Sequence, residues 1–196
     1  AINPKASNSL LNLGVLFLQK EKLAEAVESL AKASALAPSE QCSLLLAQTY
    51  QNLRQFNEAI IEYKKLDINQ LKNKKIPFNL GRCLLETGDN NAAIEAFTIA
   101  VQLDEKFIAA WGNIGTALIN DGRYEEALPA TQKVLDLDPC NPTALMNLGG
   151  IYKDLGQLDQ ALAATLKSLE RKPGNSGTRM NLGGRCHSRS QLEDAL

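Results

Sequence analysis

Apolar and polar residues alternate along the chain at spacings of three and four, which marks one face of a helix and not the two-residue period of a strand. The helical runs come in pairs. A short break separates the members of each pair, as in "NDGRY" at residues 120–124 and "DLGQL" at 154–158. Glycine there interrupts one helical pattern, and a second begins at once. The pattern predicts an all-α chain of helix hairpins, each a helix A followed by a helix B.

The hairpins repeat. "MNLGG" stands at residues 146–150 and again at 180–184, a spacing of 34. Stepping back by 34 from Gly149 reaches Gly115, Gly81 and Ala47, and a step of 33 reaches Gly14; stepping forward reaches Gly183. One residue earlier stand Leu13, Leu46, Leu80, Ile114, Leu148 and Leu182. Twelve residues later comes alanine every time, at Ala26, Ala59, Ala93, Ala127, Ala161 and Ala195. Sixteen later comes a bulky or branched residue: Leu30, Tyr63, Phe97, Thr131 and Thr165. A glycine inside a helix costs about 1 kcal/mol relative to alanine. Its recurrence is explained if the small residue on helix A leaves room for helix B.

This register resembles the tetratricopeptide repeat (TPR), a 34-residue unit with the pattern W-x2-L-G-x2-Y, then A-x3-F, then P. The fourth unit carries it most fully, with Trp111, Ile114, Gly115, Leu118, Ala127 and Pro139. Five whole units fit at 7–39, 40–73, 74–107, 108–141 and 142–175. Residues 1–6 read as the tail of a preceding unit and 176–196 as a partial sixth, so the chain is expected to be a segment of a longer array. The second unit has a degenerate exit: "KKLDINQLKNKK" lacks the closing proline and places Leu66, Ile68 and Leu71 there. Pro129 falls beyond the first turn of a helix B, where a modest kink is expected. The resemblance implies a right-handed α-solenoid of stacked helix hairpins, with one face of the A helices lining a concave groove.

Helix geometry picks out that face. If the fourth, seventh, eighth and eleventh positions of a unit are buried, the second, sixth, ninth and thirteenth lie opposite. Eleven of these 24 positions are Asn or Gln and four are charged. The sixth position is asparagine in five of six units: Asn12, Asn79, Asn113, Asn147 and Asn181. An asparagine amide both donates and accepts, so it can pair with the N–H and C=O of one peptide unit. The five asparagines are therefore candidates for a ladder that grips an extended peptide. Lys75, Arg82, Asn120 and Gly150 share the face as auxiliaries, the glycine widening the groove. The resemblance implies such a role, since similar asparagine ladders line the TPR arm of O-GlcNAc transferase. The other reading is a solvated helix face that carries asparagine by family habit.

Composition narrows the function classes. Net charge is −1 and aromatic content 5%, which offers neither a basic field for nucleic acid or anionic membrane nor a base-stacking platform. No apolar run reaches the roughly 18 residues of a spanning helix. Cys42, Cys83, Cys140 and Cys186 lie 41, 57 and 46 residues apart, and the single histidine, His187, has no partner at ligand spacing. Neither a metal site nor a disulfide framework is expected, and a reducing, cytoplasmic setting fits. No nucleophile–base pair or phosphate loop stands out, so no enzyme activity and no cofactor are expected. Lys75, Asn79 and Arg82 form a local basic cluster able to take a carboxylate. The TPR clamp for acidic C-terminal tails is incomplete, because Leu11 and Val15 stand where its opening Lys and Asn belong. The expected function is a protein-interaction scaffold holding an extended polypeptide; the alternative is the non-catalytic TPR arm of a larger bacterial transferase of the glycosyltransferase or sulfotransferase type. Weak self-association through open repeat ends is a further expectation.

Overall fold

A computed structural model describes residues 4–67 and 72–171 of the chain. Ten α-helices account for its regular structure, and there is no strand among the described residues. They form five antiparallel-type pairs in chain order: α1 (Pro4–Gln19) with α2 (Leu23–Leu36), α3 (Glu40–Asn52) with α4 (Phe56–Lys64), α5 (Lys75–Glu86) with α6 (Asn90–Leu103), α7 (Ile108–Asn120) with α8 (Tyr124–Leu137), and α9 (Pro142–Asp154) with α10 (Leu158–Arg171). The chain divides into two compact units between Leu103 and Asp104. The first holds α1 to α6 and the second α7 to α10. The partial sixth unit, Asn181, and the stretch containing Ile68 and Leu71 lie outside the described residues.

Each pair closes around its small residue. A Cβ added at Gly14 would lie 2.6 Å from the Leu30 Cγ, and one at Gly81 would lie 2.7 Å from the Phe97 ring. In the second unit the corresponding neighbours are the Thr131 and Thr165 hydroxyls, 3.0 Å from Gly115 and 2.6 Å from Gly149. The 16-residue spacing in the sequence is thus a direct contact between helix A and helix B. The alanine slot completes it: Ala26, Ala59, Ala93, Ala127 and Ala161 are all buried, so helix B can lie close along its whole length. Leu30, Tyr63 and Phe97 are fully buried, each contributing about 1.5–3 kcal/mol of apolar burial. Two serines clasp hairpin ends across 26 residues of chain: Ser7 Oγ donates to the Ala33 carbonyl at 3.0 Å, and Ser168 Oγ to that of Pro142 at 3.3 Å.

The turn inside each hairpin demands a left-handed residue. Glu21, Arg54, Gly88, Gly122 and Gly156 occupy one slot, with φ of 57, 59, 83, 71 and 74°. Three turns use glycine at no steric cost; two place a side chain in a region that disfavours it. Helix starts have their own chemistry. Ser39 accepts from Cys42 N–H and Asn141 from Ala144 N–H, capping α3 and α9, and Pro142 opens α9 where its missing N–H is harmless.

Departures from the repeat are local. α4 is 9 residues long where α2, α6, α8 and α10 have 14. Its last turn tightens, with Leu66 N–H bonding to the Tyr63 carbonyl at 3.1 Å, which swings Leu66 into the core. Helix α8 runs on through Pro129, whose ring is exposed, so the carbonyl it deprives of a partner faces the solvent side. Leu13 is 40% exposed although Leu46 and Leu80, in the same slot, are 2% and 4% exposed. Among the described residues no helix precedes α1 to cover it.

Candidate functional site

Of the 20 described positions predicted to face away from the hairpin core, none is buried. In the first unit α1 presents Asn8, Asn12, Val15 and Gln19; α3 presents Gln41, Leu45, Gln48 and Asn52; and α5 presents Lys75, Asn79, Arg82 and Glu86. In the second unit α7 presents Ala109, Asn113, Thr116 and Asn120, and α9 presents Thr143, Asn147, Gly150 and Asp154. The helical period that buries Gly115 and Gly149 turns these side chains outward. The face is open and mostly uncharged.

The second unit brings two ladder residues together. Helices α7 and α9 touch, and Asn113 and Asn147 sit in the same slot on each, both half-buried. Among the described residues neither side-chain amide makes a hydrogen bond within the chain. Gly150 lies one turn beyond Asn147 on α9, and Asn120 is the exposed last residue of α7. Thr116, between them on the face, turns its hydroxyl back to the Gly112 carbonyl at 2.9 Å and so offers little to a ligand.

The first unit is arranged differently. Asn12 is exposed and Leu45 replaces asparagine on α3. Asn79 is half-buried against Tyr63. Burial pushes the Tyr63 phenol well above its usual range, with the neighbouring Cys83 adding to the rise, while the nearby Asn79 amide and the Arg82 charge pull it back. The Tyr63 hydroxyl itself donates to Gln51 Oε1 at 3.0 Å. Asn79 thus lies close to a tyrosine of the preceding hairpin, a neighbour its slot in the sequence did not reveal. Cys83, on the buried side of α5, is pushed up to about 11 by burial, the Arg82 charge acting the other way. Its thiol stays protonated near neutral pH.

Lys75 and Arg82 are exposed on α5, one turn to either side of Asn79. A small cavity of about 190 Å³ joins Arg82 to Gln51, Arg54 and Glu86. Within it Arg54 reaches Glu86 at 3.7 Å and lies 5.6 Å from the Phe56 ring centroid. Both groups are well exposed, so the pair adds little to stability. No three His, Cys, Asp or Glu side chains gather within reach of one metal ion among the described residues. No helix among the described residues is long and apolar enough to cross a membrane.

Five helix pairs in one register, each closed around a small residue and leaving its A helix open on the far side, define a helical-repeat protein. Family models described as "Tetratricopeptide repeat" match residues 7–40, 41–67 and 78–107, and, for a second model, 118–177. The chain belongs to the tetratricopeptide-repeat family. Solved structures share its solenoid fold. One, "YrrB: a TPR protein with an unusual peptide-binding site", aligns with a TM-score of 0.80 at 23% identity, over 87% of this chain and 89% of that one. Two structures of MamA align with TM-scores of 0.79 and 0.75 at 22% and 24% identity, over 86% and 82% of this chain and 93% and 94% of theirs. No curated protein matches the chain at a significant level.

Proposed function

We propose that the chain is a non-catalytic scaffold that binds a protein partner on its A-helix face, and that Asn113 and Asn147 hold the backbone of an extended peptide. The observation that carries this reading is the pair itself: two half-buried amides in one slot of touching helices, neither hydrogen-bonded to another described residue. Half-burial restricts their rotamers, so less entropy is lost when a ligand is gripped. Adjacent helices pack roughly 9–10 Å apart and an extended strand advances about 3.3 Å per residue, so successive rungs meet about every third peptide unit. Gly150 gives the ligand backbone room beside Asn147. The peptide-binding site named for YrrB supports a peptide as the ligand class.

The other ladder positions take lesser parts. Asn12 is a further exposed rung, Asn181 holds the same sequence slot outside the described residues, and Asn79 is a half-buried rung close to Tyr63. Lys75 and Arg82 are suited to a carboxylate, a side chain or a C-terminus, and Asn120 to the edge of the ligand. The repeat frame behind this reading is the one of units at 7–39, 40–73, 74–107, 108–141 and 142–175.

The test is to make Asn113→Ala and Asn147→Ala, verify folding by circular dichroism, and compare all forms against a displayed library of extended peptides. Each loss should weaken the selected peptides by about 1–3 kcal/mol, or one to two decades. Amide-to-amide contacts predict little change between low and physiological salt. The reading is wrong if the wild type enriches no peptide, or if the double variant binds the enriched ones equally well.

A further inference from the structure

A groove bounded by α2, α3 and α4 holds a group the fold does not need. It has a volume of about 630 Å³ and is lined by Ala35, Pro38, Ser43, Leu46, Tyr50 and Glu62, among others. Glu62 is only 9% exposed. One carboxylate oxygen, Oε1, accepts from Lys65 Nζ at 2.6 Å. The other, Oε2, is buried and has no hydrogen-bond partner among the described residues. A buried acceptor left unpaired is costly, and a carboxylate oxygen more so than a neutral one.

The second unit contains the same groove without the acid. Bounded by α8, α9 and α10, it has a volume of about 460 Å³ and keeps the tyrosine and the lysine, as Tyr152 and Lys167. Leu145 stands there in place of Ser43, and Ala164 in place of Glu62. The Glu62 slot is Ala96 and Ala130 in the remaining later hairpins, both buried. A small apolar residue therefore satisfies the hairpin, and the glutamate is an addition to it. Its charge is felt locally: after burial, the Glu62 and Glu58 carboxylates are what push the Tyr50 phenol above its usual value.

We infer that this groove is a second binding site, distinct from the A-helix face, and that it receives an arginine side chain presented by a protein partner. Three features select that chemistry. Glu40 and Glu62 line the groove against one ammonium, Lys65, which leaves it one positive charge short. Lys65 already occupies Oε1, whereas a small turn of the Glu62 side chain would present Oε2 to the groove, where one N–H of a flat guanidinium can reach it and a second ammonium would crowd the first. Ala35, Pro38 and Leu46 offer an apolar wall for the three-carbon stem, and the Tyr50 ring offers a face for the guanidinium plane. The volume lies within the usual range for a site that encloses a small group.

The experiment uses the full chain and three blocked tripeptides, Gly-Arg-Gly, Gly-Lys-Gly and Gly-citrulline-Gly, titrated while backbone amide resonances are followed. The arginine peptide should shift the amides of Ser43, Tyr50 and Lys65, with the lysine peptide weaker and the citrulline peptide weaker by about tenfold or more. Glu62→Ala, which copies the second unit, should abolish those shifts and yet raise the melting temperature. Ser43→Leu should abolish them by filling the groove while Glu62 remains, and it decides the matter should Glu62→Ala not fold. Three results would each overturn the assignment: no shift at these amides with arginine, equal binding of citrulline, or full binding by both variants.

Discussion

The two compact units meet one requirement, close approach of helix B to a small residue on helix A, by different means. In the first unit Gly14 and Gly81 face Leu30 and Phe97; in the second Gly115 and Gly149 face Thr131 and Thr165. The turns differ in the opposite sense. The second unit has glycine at both left-handed positions, Gly122 and Gly156, whereas the first has Glu21 and Arg54 beside its single Gly88. The first unit thus combines larger apolar knobs with strained turns, and the second combines relaxed turns with thinner knobs. The small residue on helix A is the fixed element of the repeat. What packs against it, and how the chain turns, is adjustable within a few kcal/mol.

That contrast can be broken at the glycines first. Gly81→Ala puts a methyl 2.7 Å from a ring carbon of Phe97, a rigid neighbour that must move bodily. It should destabilise the first unit by about 1–3 kcal/mol. Gly115→Ala meets the Thr131 hydroxyl at 3.0 Å and its other neighbours at ordinary van der Waals distance, and the gain in helix propensity of about 1 kcal/mol offsets most of that contact. Native-state hydrogen exchange resolves each hairpin separately. Equal losses for the two variants would show that the knobs do not differ as described.

A smaller effect of opposite sign is expected at Thr131. Its hydroxyl is buried and has no hydrogen-bond partner among the described residues, so Thr131→Val should stabilise the α7–α8 hairpin by about 1 kcal/mol. A loss of protection in α7 and α8 would mean that the hydroxyl is satisfied in solution. The smallest change belongs to the turns. Glu21→Gly removes a side chain from the left-handed region and should raise stability by about 0.5 kcal/mol, the relief being partly offset by the freedom of glycine in the unfolded chain. A melting curve shifted downward would place the strain elsewhere.

Most of the fold is written in the sequence because its determinants are local and repeated. The spacing of 16 residues from Gly14 to Leu30 and from Gly81 to Phe97 is a contact, and the alanine slot from Ala26 to Ala161 is buried throughout. The A-helix face follows from the same period. What stayed hidden depends on partners that are distant in sequence or on single departures from the repeat. The closeness of Asn79 to Tyr63 spans two hairpins, and no spacing within one unit announces it. The short α4 ends where its last turn tightens around Leu66, a packing event of one hairpin alone. Glu62 did leave a signal: it is a charged residue in a slot that later holds Ala96, Ala130 and Ala164. Periodicity directs attention to what repeats, whereas this site lies in what does not.

The central claim is that Asn113 and Asn147 read a peptide's backbone, and it is tested most directly by altering that backbone. A peptide selected by the wild-type chain is resynthesised with a single N-methyl group at each position in turn, which removes one amide donor and leaves every side chain in place. At the gripped positions, about three residues apart, methylation should cost one to two decades in affinity. Combined with Asn113→Ala or Asn147→Ala, one methylated position should cost nothing further, because variant and methyl group delete the same bond. Losses that simply add at every position, or methylation without effect anywhere, would show that these asparagines do not hold the ligand.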